Sequence, residues 1–90
     1  MFNKRRSEIQ IIEEILDISK KGARKTEILY KGNMSFLQLN NYLSYLIEKD
    51  ILSEDIVSIG NGSTSKMYTT TEKGKDLLED IAKVLTYLNE

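Results

Sequence analysis

Hydrophobic positions in the 90-residue chain follow two rhythms, one helical and one alternating, and the changes between them mark out its elements. Ser7 precedes a helical run of about Glu8 to Lys20, in which Ile9, Ile12, Ile15 and Leu16 share one stripe. Glu8 suits the positive N-terminal end, Lys20 and Lys21 the negative end, and Gly22 a left-handed stop. Ile11 and Ile18 fall beside the stripe, which makes it too wide for one partner. After an extended link at Ala23-Arg24, a short second helix of about Lys25 to Lys31 turns Ile28 and Leu29 inward and closes at Gly32-Asn33.

The spacing predicts a third helix over 35–49. Ser35-Phe36-Leu37-Gln38 has the capping-box pattern at its start. Phe36, Leu39, Leu43, Leu46 and Ile47 lie on one side with Tyr42 at the margin, and Leu37, Gln38, Asn41, Ser44, Tyr45 and Glu48 occupy the other. The rhythm then changes. Ile56-Val57-Ser58-Ile59, the turn Gly60-Asn61-Gly62 and the return Lys66-Met67-Tyr68-Thr69-Thr70 predict a hairpin within 53–70, its loop extending as far as Ser65. Thr71 is the expected N-cap of a last helix over 72–88, with Glu72 in its first turn and Gly74 marking a close approach or a bend. Leu78 and Leu85 as a positions and Ile81 and Leu88 as d positions give two heptads, widened by Leu77 and Val84.

Three helices, a two-stranded ribbon with a glycine tip and a threonine-capped helix are the parts of a winged helix-turn-helix, in that order. The expected fold is therefore α+β, mainly α, in one domain covering 1–90. Its C-terminal helix, with help from Ile11 and Ile18, serves dimerisation through Leu78, Ile81, Leu85 and Leu88. The competing reading of that helix is that its apolar face covers its own domain. A chain this small buries only about 60–65% of its unfolded surface, so further burial between protomers favours the dimer.

Composition narrows the chemistry. With no cysteine or histidine, disulfides, thiolate nucleophiles, imidazole bases and the usual zinc ligand sets are all excluded. Glu13-Glu14, Glu54-Asp55 and Glu79-Asp80 are adjacent acids, which diverge on a helix and face opposite sides of a strand, so none makes a ready carboxylate pair. Gly60-Asn61-Gly62 is too short for a phosphate loop. No enzyme, metal, cofactor or small-molecule ligand is expected. The basic start Lys4-Arg5-Arg6 leads into Glu8, Glu13 and Glu14 rather than an apolar segment, which reads as a cytoplasmic protein without a membrane span.

A formal net charge of −1 opposes phosphate binding, but it is unevenly distributed. Residues 1–45 hold 8 of the 13 Lys and Arg and 5 of the 14 acids, while residues 46–90 hold 5 and 9. The cations thus lie where a helix-turn-helix meets DNA. The outer face of the third helix carries amides, hydroxyls and an aromatic ring instead of the usual lysine and glutamate. Gln38 and Asn41 can pair with adenine, Ser35 and Ser44 can contact bases or phosphate, and Tyr45 can reach a phosphate. Arg24, Lys25 and Lys31 are the expected backbone contacts, and Lys66 is the lone cation of the wing. The alternative is an ordinary solvated surface.

The run from Gly22 to Tyr30, then Asn33-Met34-Ser35, Tyr42-Leu43, Leu46 and Ile51-Leu52, resembles small archaeal winged-helix DNA-binding proteins, as does Tyr68 through Ile81. The resemblance spans nearly the whole chain and implies a homodimer joined through the last helix, which in chromatin-associated relatives forms a longer antiparallel coiled coil. The expectation is a dimeric transcriptional regulator placing helix 35–49 in the major groove of double-stranded DNA with wing 53–70 beside it. The alternatives are a winged-helix protein-interaction module and a non-specific chromatin-associated DNA binder.

Overall fold

A computed structural model describes residues 7–88; the basic Lys4-Arg5-Arg6 stretch lies outside the described residues. The order of elements is α1 (Glu8–Ile18), α2 (Lys25–Gly32), α3 (Phe36–Glu48), β1 (Leu52–Gly60), β2 (Ser63–Thr70) and α4 (Glu72–Leu88). The result is a mainly helical winged helix-turn-helix with one two-stranded antiparallel sheet.

Ile11, Ile15 and Leu16 of α1, Ile28 of α2, and Leu39, Leu43 and Leu46 of α3 pack with Ile51, Leu52, Tyr68 and Leu78 into one core. The expected α1 stripe is rotated. Ile11 is 5% exposed and Ile9 47%, so Ile11 belongs to the protomer's own core and Ile9 to its surface. Ile9 sits in the first turn, more than a full turn before the fully buried Ile15 and Leu16 that anchor the helix. Ile12 and Ile18 are half-buried against the same core, so the broad stripe serves several elements of one chain.

Three of the four helices, α1, α3 and α4, start at a hydroxyl cap. The reciprocal capping box forms at α1, where the Gln10 N–H donates to Ser7 Oγ (3.2 Å) and the Ser7 N–H to Gln10 Oε1 (2.9 Å). At α3 the serine half is made, with the Gln38 N–H donating to Ser35 Oγ at 3.1 Å. Helix α1 ends at Ile18 instead of Lys20: the buried Ser19 is its C-cap, and its carbonyl accepts both the Gly22 N–H at 3.1 Å and the Thr70 N–H at 2.9 Å. Lys20 and Lys21 fall in the following turn, which Gly22 completes at φ +93°.

The link at Ala23 is more than a connector. Ala23 and Tyr68 exchange two backbone hydrogen bonds of 2.8 Å each, adding a short bridge to the outer side of β2. Thr70 Oγ1 also donates to the Leu16 carbonyl at 2.7 Å, so β2 is fastened to both ends of the α1–α2 connection. The hairpin is longer than expected, since β2 begins at Ser63 rather than after Ser65 and a bulge lies between Ser58 and Gly60.

One joint sets α4 against α3. The Gly74 N–H donates to Thr71 Oγ1 at 3.0 Å, which makes Thr71 the N-cap, and the same hydroxyl meets the Asp50 and Ile51 carbonyls at 2.8 and 3.0 Å. Lys73 Nζ donates to the Lys49 carbonyl at 2.8 Å, covering the C-terminal end of α3 with a cation. A Cβ at Gly74 would collide with the Ile51 carbonyl oxygen, so glycine is needed here for close approach.

Helix α4 then runs back along α1. Leu78 and Ile81 are each 8% exposed, already covered within the protomer. Leu85 is half-buried, while Val84, Tyr87 and Leu88 remain exposed. The heptad surface therefore divides, its first turns completing the domain and its last two facing solvent.

Candidate nucleic-acid interface

Helices α2 and α3 meet at a tight corner made by Asn33, whose φ of +50° lets the chain reverse within the three residues before α3. Burial of Leu39, Leu43 and Leu46 fixes the rotation of α3 about its axis. Leu37, Asn41, Ser44, Tyr45 and Glu48 are consequently exposed on its outer face, and Gln38 is half-exposed beside them. The first turn of this helix carries no acid, which leaves its positive end uncompensated by side-chain charge.

Phe36 corrects the expected pattern. It lies on the flank of the inward stripe, yet it is 55% exposed, while Met34 before it and Leu39 after it enter the core. Its ring supports Lys25 Nζ, 4.8 Å from the centroid, a cation–π contact between α2 and α3. Lys49 Nζ lies 5.8 Å from the Tyr45 ring centroid at the other end of the helix. The cations at the two ends of α3 are thus associated with aromatic rings on that helix.

The remaining expected contacts are more scattered. Arg24 is exposed at the start of α2, where it makes no side-chain capping bond. Lys31 Nζ is 2.9 Å from Glu27 Oε2 and holds that carboxyl below its ordinary range, chiefly through the hydrogen bond and then through charge. Ser35 Oγ is engaged in capping. Lys66 stands opposite Ile56 in mid-ribbon, away from the Gly60-Asn61-Gly62 tip, and lies 3.9 Å from Glu54. Such exposed pairs contribute only about 0–1 kcal/mol, so phosphate could exchange for either carboxylate.

The contacts of Lys25 with Phe36 and of Lys73 with Lys49 join separate elements and have no local signal in the sequence. The Tyr45–Lys49 pair has a local signal, being separated by one helical turn. Of the expected dimerisation residues, Ile11, Leu78 and Ile81 are buried in the protomer, Ile18 and Leu85 are half-buried, and Leu88 is exposed. Among the described residues, no group of three or more acids could hold a metal ion, and no helix is long and apolar enough to cross a membrane.

Comparison with known proteins places this geometry in context. The chain is 35% identical over 81 residues to the uncharacterized protein MJ0290 of Methanocaldococcus jannaschii and 27% identical over 86 residues to MJ0287 of the same archaeon. Those matches cover 89% and 94% of this chain; it spans about a third (34%) of the first relative and 79% of the second. The fold is similar to that of Sso10a-2, a DNA-binding protein from Sulfolobus solfataricus, at a TM-score of 0.82 and 24% identity over 93% of this chain and 83% of that one. A PadR family transcription regulator from Clostridium difficile R20291 aligns at a TM-score of 0.80 and 20% identity, covering 88% of this chain and 90% of its own. Residues 5–88 match the winged helix-turn-helix family model, and the chain belongs to that family.

Proposed function

We propose that this protein is a homodimeric transcriptional regulator that binds double-stranded DNA with α3 in the major groove and the wing alongside. The observation that carries the reading is the outer face of α3, where amide, hydroxyl and aromatic groups stand exposed and no acid precedes Glu48. Asn41 and Gln38 supply bidentate amides for adenine, with Ser44 and Tyr45 farther along the groove. Arg24, Lys25 and Lys31 on α2, with Ser35 at the corner, approach the backbone. The DNA-binding and regulatory descriptions of the structural relatives support this assignment, and Lys66 adds a weak contact from the wing.

The dimer reading rests on the exposed end of α4. Val84, Tyr87 and Leu88 leave apolar surface on the last two turns, next to the half-buried Leu85. A second copy covers that surface and spaces two α3 helices for paired half-sites.

Selection of bound sequences from a random duplex pool at near-physiological salt tests the reading directly. The expected result is a recurrent paired motif, bound with a salt dependence corresponding to roughly 3–5 phosphate contacts per protomer. Enrichment without a motif would indicate a non-specific chromatin-associated protein. A salt slope near zero would instead favour a protein-interaction module.

A further inference from the structure

The first turn of α3 carries an aliphatic group that the fold does not use. Leu37, the second residue of the helix, is 72% exposed. One helical turn on, at i+4, stands the exposed Asn41, the amide assigned above to adenine. The apolar group therefore lies toward the N-terminal end of the groove-facing stripe, the part of a recognition helix that approaches base edges in a helix-turn-helix.

An aliphatic side chain has no hydrogen bond to offer, and the major groove presents it with one matching apolar feature, the C5-methyl of thymine. We propose that Leu37 is a specificity-determining residue that reads a thymine methyl group. This inference rests on the DNA-binding reading and names the base chemistry that the start of α3 selects. Its surroundings suit the groove: the first turn has no acid, Lys25 is held over the neighbouring Phe36 ring at 4.8 Å, and Arg24 is exposed at the start of α2. Four residues of helix advance about 6 Å. At about 3.4 Å per base pair, the thymine read by Leu37 lies within roughly two base pairs of the adenine read by Asn41.

The decisive probe is deoxyuridine, which keeps the hydrogen-bonding edge of thymine and lacks its methyl. The 90-residue chain is titrated with its selected duplex and with duplexes carrying uracil at one thymine at a time, all at one salt concentration. One substitution near the Asn41 adenine should weaken binding about three- to fivefold, the ratio for one buried methyl group. Leu37→Ala removes no core contact and should bind the thymine and uracil duplexes equally, while retaining the salt slope of the parent protein. Equal parent affinity for the thymine duplex and every uracil duplex, or an unchanged ratio in Leu37→Ala, would each overturn the proposal. In those cases retained salt-dependent binding would leave the DNA-binding reading standing, whereas absence of binding to any duplex would remove both.

Discussion

Two helices leave apolar side chains in solvent, but they do so in opposite surroundings. At the start of α3, Phe36 and Leu37 lie among amides and hydroxyls, with Lys25 over the Phe36 ring and Arg24 exposed on the preceding helix. At the end of α4, Val84, Tyr87 and Leu88 follow a groove lined by the acids Glu13, Glu14, Asp17 and Glu79 together with Lys20 and Lys75. The first surface suits an anionic partner with apolar features of its own; the second, of mixed charge with acids in excess along its groove, suits a protein surface better than phosphate. Exposed hydrophobicity alone would not distinguish them. The charge around each does.

The largest effect should come from breaking the α4 surface. Leu85→Glu together with Leu88→Glu places carboxylates in the proposed seam and should weaken self-association by about 2–3 kcal/mol, roughly half the full burial value of two leucine side chains, since both are already partly covered in the protomer. Sedimentation should then find folded monomers. A folded double variant that remains dimeric would remove the proposed seam and leave the α3 assignment untouched.

A smaller loss is expected at the joint that supports both surfaces. Gly74→Ala forces a methyl against the Ile51 carbonyl, beside the Thr71 and Lys73 contacts, and should destabilise the fold by about 1–3 kcal/mol, the usual cost of overpacking. Chemical denaturation would register a lower midpoint with an unchanged slope. Unaltered stability would mean that α4 can move away from α3 without loss, contrary to the close packing described above.

Tyr68 of β2 is buried where the ribbon meets the core and gives a pH-dependent measure of that packing. Burial first, and then the hydrogen bond and charge of Glu54, push its phenol up to about 12 from an ordinary 10.0. The unfolded chain releases this proton near pH 10 while the folded chain retains it, so Tyr68 contributes its full stability below pH 10 and loses it between pH 10 and about 12. Denaturation at stepped pH should show that decline, and Tyr68→Phe should flatten it. The same slope in the variant would place the alkaline transition on other groups.

How much of this was legible in sequence differs by region. Ser7, Ser35 and Thr71 marked helix starts because capping is decided within three or four residues. The order of elements and the outward side of α3 followed from periodicity for the same local reason. The rotation of α1 differs from its periodicity at Ile9 and Ile11, because a crowded isoleucine stripe permits more than one orientation until α2, α3 and α4 are packed on it. Phe36 looked buried by angle, but angle does not reveal how far a core reaches around the flank of a helix. The Ala23–Tyr68 bridge and the Lys25–Phe36 contact depend on tertiary approach and leave no local periodic signal.

The central claim is that the outer face of α3 reads bases while the α2 cations position the backbone. Asn41→Ala and Lys25→Ala, each titrated against the selected duplex and a scrambled one, test it most directly. Asn41→Ala should lose about 1–3 kcal/mol on the selected duplex and little on the scrambled one, as expected for removal of a bidentate amide contact. Lys25→Ala should weaken both duplexes alike and reduce the salt slope by about one contact. Equal losses on both duplexes for Asn41→Ala would contradict the account and return the face of α3 to an ordinary solvated surface.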